Sequence, residues 1–107
     1  MPAVPLFLAG NPVFAWTRID PRQRHTGNTA HYALGIRLDP VAGLAICRNP
    51  EGSFYLYGCD AEWNTITDTW HETLDDALYQ AEHEYEGVGE TWEWPDGRPD
   101  STLTISA

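Results

Sequence analysis

From Ala30 onward the chain alternates apolar and polar residues, and clusters of Gly, Pro, Asn and Asp interrupt it at short intervals. Tyr32, Leu34, Ile36 and Leu38 alternate with His31, Ala33, Gly35 and Arg37, the period of two of a strand buried on one face. Asp39, Pro40 and Gly43 then turn the chain. Residues 44–48 form the next expected strand, Asn49–Gly52 (Asn-Pro-Glu-Gly) the next turn, residues 53–59 a strand, 60–64 a turn and 65–71 a strand. Connections this short make sequential strands antiparallel neighbours, because parallel pairing needs a long crossover. Upstream, residues 4–9 and 13–19 are two further β-prone runs around Gly10, Asn11 and Pro12. Between them and the meander, residues 20–29 are polar, contain Pro21 and Gly27, and read as an exposed loop.

The period changes once, over residues 73–87. Leu74, Ala77, Leu78, Ala81 and Tyr85 fall at helical spacing and make one stripe suited to packing on a sheet. Thr73 is placed as N-cap, with Asp76 three residues on as an Asp version of the capping box, and Asp75 also favours the positive end of the helix dipole. Gly87 stands where a left-handed residue would end the helix. Beyond it, residues 90–94 read as a strand with Trp92 and Trp94 on one face; Pro95, Asp96 and Gly97 turn the chain, and residues 102–106 are β-prone. The fold class this predicts is α+β. It is an antiparallel β-meander with one amphipathic helix (about 73–87) packed on it and a C-terminal β-hairpin, in a single domain over residues 1–107.

Composition agrees with that plan. With 107 residues, 42% of them hydrophobic, the chain can bury one core without metal or disulfide. Charge adds something the periodicity does not. The first fifty residues hold five Arg (18, 22, 24, 37 and 48) against Asp20 and Asp39, whereas residues 51–107 hold Arg98 against fourteen carboxylates, for a net −10. A field of that sign repels polyanions, so nucleic acid is not an expected partner; the only basic cluster is Arg18, Arg22 and Arg24. The apolar N-terminus MPAVPLFLAGNPVFAW lacks a basic leader, is broken by Pro2, Pro5 and Pro12, and falls short of the roughly eighteen apolar residues a membrane span needs. It reads as part of the fold, with no membrane partner and a cytoplasmic location expected.

Pairing across the Asn-Pro-Glu-Gly turn, with Asn49 opposite Ser53, sets Cys47 against Tyr55 and Cys59 against Gly43, out of reach of a disulfide. Two reduced thiols in or near the core are expected. His25, His31, His71 and His83 with Asp60, Asp68 and Glu72 show no metal-ligand spacing, so no metal is expected, and no glycine-rich phosphate cradle or nucleophile motif appears. No cofactor and no catalytic residue follow. A sharper pattern lies on the outer side of the expected helix, where Asp75, Tyr79, Glu82 and Glu86 share a ridge: fixed negative charge around an aromatic that can desolvate a partner's Arg or Lys. Trp63, Trp92 and Trp94 lie in nearby acidic segments. The partner-binding set expected is therefore Asp75, Tyr79, Glu82, Glu86, Trp92 and Trp94.

The run YLYGCDAEWNTITDTWHETLDDALYQAEHEYEG, residues 55–87, resembles a motif of small, uncharacterised bacterial proteins, and the acidic, aromatic-rich α+β style is similar to immunity proteins that neutralise bacterial toxins. The resemblance implies an acidic binding module that masks a basic site on a partner protein. Two alternatives stand beside it. One is a small enzyme with carboxylates and His71 lining a cleft under the helix; the other is a homodimer that hides Trp92, Trp94 and an edge strand.

Overall fold

The computed structural model describes residues 2–20, 26–27, 31–38 and 40–97. Its elements are β1 (Phe7–Leu8), β2 (Asn11–Arg18), β3 (Tyr32–Ala33), β4 (Ile36–Arg37), β5 (Gly43–Arg48), β6 (Phe54–Cys59), β7 (Thr65–His71), α1 (Leu74–Glu84) and a 3-10 turn, Val88–Glu90. Strands β1-β2-β5-β6-β7 pair in that order, all antiparallel, into one five-stranded sheet, while among the described residues β3 and β4 pair only with each other. The α+β class therefore holds. The expected C-terminal hairpin, with residues 102–106, lies outside the described residues.

The Asn-Pro-Glu-Gly turn sets the register of the central strands. Asn49 Oδ1 accepts the backbone N–H groups of Glu51 and Ser53 (2.8 and 3.2 Å), and Gly52 takes the left-handed conformation at φ 90° that a side chain would strain. From there β5 and β6 pair without a slip, from Arg48 opposite Phe54 to Gly43 opposite Cys59, so Cys47 does face Tyr55. Both cysteines are free and buried. Gly58 is required for a different reason: a Cβ there would sit 2.2 Å from Thr67 Oγ1 and 2.9 Å from Val41 Cγ1.

Alternation along β5 and β6 gives the sheet two buried faces. Leu44, Ile46, Phe54 and Leu56 point to one side and pack with Ala77, Ala81 and Tyr85 of α1 and with Val88 and Trp92 beyond it. Ala45, Cys47, Tyr57 and Cys59 point to the other side, where Leu8, Trp63 and the half-buried Val4 cover them. A regular helix closes the first face, and an extended N-terminal strap closes the second. The strap is tied down at Pro2, whose carbonyl accepts the Trp63 indole N–H (2.8 Å) and an Arg18 N–H (3.2 Å). It is tied again at Leu6, whose carbonyl accepts Val13 N–H (2.9 Å).

Four local expectations are corrected. Residues 30–38 do not form one strand: Leu34 and Gly35 both take positive φ (52° and 78°) and fold the segment into the small β3–β4 hairpin. Tyr32, Leu34 and Ile36, expected to face a core, are exposed, and Leu34 is fully so. The run 4–9 pairs only at Phe7–Leu8, and the chain turns at Ala9–Gly10, also at positive φ, rather than at Gly10–Pro12. That shift accommodates Pro12. Opposite Phe7 it is a non-bonded pair with β1, and β5 pairing begins one residue later at Val13, so its missing N–H costs the ladder nothing.

The helix also ends earlier than expected. Thr73 caps it, Oγ1 accepting Asp76 N–H (3.1 Å), but the last helical residue is Glu84, Tyr85 is the C-cap, and Gly87 at φ 85° instead starts the 3-10 turn. The expected strand at 90–94 is that turn followed by a single bridge, Glu93 to Trp16.

Candidate functional site

On α1 the inner stripe is buried as its spacing predicts, with Ala77, Ala81 and Tyr85 fully covered and the Tyr85 hydroxyl accepting Val41 N–H (2.9 Å). The outward ridge then separates into parts. Asp75 and Glu86 are exposed, and Tyr79 is 70% exposed and stacked on His83 (centroids 5.9 Å, 19° between planes). Glu82 is exposed as well, but its two carboxylate oxygens accept Gly87 N–H (2.6 Å) and Gly89 N–H (2.9 Å). It therefore caps the chain as it leaves the helix, which leaves less of its charge for a partner.

The two tryptophans expected at this surface are elsewhere. Trp92 and Trp94 do share a side, but that side faces the core: Trp92 is 9% exposed within the helix-side cluster, and Trp94 packs against it edge-on to Phe14 (5.9 Å, 89°). The cause is the backbone exchange between Glu93 and Trp16, N–H to O at 2.7 and 3.1 Å, which turns residues 92 and 94 inward on the edge of β2. Trp92 is already covered within one chain, so a homodimer is not needed to hide it. Its indole N–H has no hydrogen-bond partner among the described residues. Trp63 is buried on the opposite face, edge-on to Trp16 at 5.8 Å. Its φ of 66° is sustained by the loop around it, where Asp60 Oδ1 accepts Glu62 N–H (2.8 Å) and Asn64 N–H (2.9 Å). The Asn64 side-chain amide, bonded to Asp60 Oδ2, and then those backbone bonds hold the Asp60 carboxyl below its ordinary pKa.

One polar pair was not anticipated. Glu84 is 4% exposed, and its carboxylate meets His31 Nε2 (3.1 Å) and Gln80 Nε2 (2.8 Å). Thr26 joins the same corner, its N–H donating to the Glu84 carbonyl (2.9 Å) and its hydroxyl to that of His83. The signal was present in part: Glu84 lies three residues after Ala81 and seven after Ala77, on the apolar stripe. A buried carboxylate needs partners, and His31, 53 positions away, is not visible as one from spacing. The pair joins the approach to the β3–β4 hairpin to the end of α1.

For catalysis the placement is poor. His71 Nε2 is bonded to Thr69 Oγ1 (2.7 Å), and burial holds its imidazole below the ordinary pKa despite the opposing pull of Asp76 and Glu84. It lines neither of the two concavities described below. Burial pushes both thiols up to about 12, with Cys59 adding to Cys47 and Asp60 to Cys59, so neither is a ready nucleophile. Among the described residues no three His, Cys, Asp or Glu side chains are grouped to hold a metal ion, and no helix is long and apolar enough to cross a membrane.

The larger concavity is a cleft of about 500 Å³ at the outer edge of β2, lined by residues 4–7 of the strap, by Pro12, Val13 and Trp16, and by residues 93–96. The smaller, about 270 Å³, lies among Ala9, Tyr57 and residues 65–68 of β7. No family model matches the chain, and neither a curated protein nor a solved structure matches it.

Proposed function

We propose that the protein is an acidic binding module that engages a basic partner protein through the outer face of α1, in the manner of an immunity or antitoxin-type inhibitor. The observation that carries this reading is Tyr79, which is 70% exposed at the middle of the helix, one turn after the exposed Asp75, with Glu86 exposed just past the helix end. A soluble helix face ordinarily puts charge outward; a large ring left in water among carboxylates costs apolar hydration and becomes useful when a cationic side chain covers it. The net charge of −10 supplies the long-range attraction that brings such a partner in.

The test compares wild type with an Asp75→Lys, Glu86→Lys double variant, which leaves Glu82 and its backbone bonds intact. Both are immobilised, exposed to a lysate of the source cell and eluted with a salt gradient. A basic protein released by salt from wild type and missing from the variant is the expected result. Equal recovery from both, or no basic protein on either, overturns the proposal.

A further inference from the structure

The cleft beside β2 exists because two segments share one sheet edge without meeting. The strap pairs with the first half of β2, through Leu8, Phe7 and Leu6, and among the described residues the backbone of the 93–96 segment is bonded to it only at Trp16. Between them Val13 and Trp16 form a floor, with Phe7 on one wall and Trp94 on the other. Three of the lining residues are proline (5, 12 and 95), which carry no N–H, and the polar side chains that line it are Glu93 and Asp96. Both carboxylates are exposed, and among the described residues neither has a cationic partner.

That chemistry selects its occupant. Aromatic and proline walls reward an apolar chain already extended, since a polyproline-type segment loses little conformational freedom on docking. Two carboxylates without a cationic partner among the described residues, and no cation in the lining, repel an acidic segment and favour a basic one. The Trp16 ring is already covered by Arg18, 5.0 Å from the centroid, so the attraction for a partner's cation comes from Glu93 and Asp96. We infer that the cleft between the N-terminal strap and residues 93–96 is a docking groove for an extended, proline-containing segment of a partner protein that carries Arg or Lys. The groove is separate from the face of α1, and the inference does not rest on the reading of that face.

The experiment selects binders to the whole protein from a random peptide library and counter-selects on a Glu93→Lys, Asp96→Lys variant, two exposed positions whose reversal leaves the core untouched. The expected winners share proline beside Arg or Lys. A synthetic copy of one should shift the indole N–H resonances of Trp16 and Trp94 while leaving that of Trp70 in place. It should bind the carboxylate variant about tenfold more weakly and the Asp75→Lys, Glu86→Lys variant as well as wild type. Any of these results overturns the proposal: no peptide enriched, winners without a cationic residue, equal affinity for the carboxylate variant, or shifts of Trp16 and Trp94 that follow protein concentration with no peptide present, which would assign the groove to a second copy. Loss of binding only in the helix variant would move the site to α1 and also overturns it.

Discussion

The two faces of the central sheet are built from the same strands and are closed in different ways. On one side α1 lays a continuous stripe, Ala77, Ala81 and Tyr85, over Leu44, Ile46 and Leu56. On the other, Ala45, Cys47, Tyr57 and Cys59 lie under an extended strap whose ties are the bonds at Pro2 and Leu6 and the packing of Leu8 and Trp63. A helix satisfies its own backbone and delivers side chains every turn, so it seals what it covers. An extended strap with Pro2 and Pro5 in it pairs briefly and leaves a cleft where it stops. The open surface of the molecule is a consequence of which element closes which face.

The largest effect should come from the sealed side. Ile46→Ala removes a fully buried side chain beneath the helix and should cost about 2–5 kcal/mol, read as a global shift in denaturant midpoint with all probes moving together. On the strap side Trp63→Phe keeps one aromatic ring but deletes the bond to Pro2, about 1 kcal/mol, and leaves the volume of the lost pyrrole ring unfilled, for about 1–3 kcal/mol in all. Its signature is local: faster amide exchange at Val13 and faster alkylation of Cys47 and Cys59, both fully buried in wild type. If Trp63→Phe moved every probe equally, the two faces would be one cooperative unit and the contrast would fail. Thr73→Ala should cost about 1 kcal/mol and raise exchange in the first turn of α1 while leaving the strap amides unchanged.

Acidification addresses the helix side at smaller scale. Burial depresses the folded-state pKa of His71 below its ordinary value of 6.5, so the unfolded chain takes up the proton first as pH falls. The stability this histidine permits is complete above about 6.5 and is lost as pH falls through the lower, folded-state value. His71→Gln should flatten that part of the stability profile. An unchanged profile would mean that burial has no hold on this imidazole.

What the sequence revealed divides along similar lines. The β5–β6 register was legible because the side chain of Asn49 and the left-handed Gly52 fix the turn locally, and the cap at Thr73 was legible for the same reason. The 31–38 segment misled because alternation tells which side chains share a face and does not tell what covers it. There the positive φ of Leu34, a conformation that costs a non-glycine residue roughly 1–2 kcal/mol, breaks the strand, and among the described residues no element lies over Tyr32 or Ile36. Trp92 was misplaced and the burial of Glu84 was missed because of partners distant in sequence, the Glu93–Trp16 bridge in one case and His31 in the other. The aromatic support once expected around the acidic ridge is thereby reduced to Tyr79, and Trp94 belongs to the groove.

The most direct measurement of the binding reading is the salt dependence of association with the captured basic partner, taken for wild type and for the Asp75→Lys, Glu86→Lys variant. The account predicts a wild-type association rate that falls steeply with ionic strength, by about tenfold or more from low to physiological salt, and a variant that starts slower with a shallower slope. Identical slopes in the two proteins would contradict it.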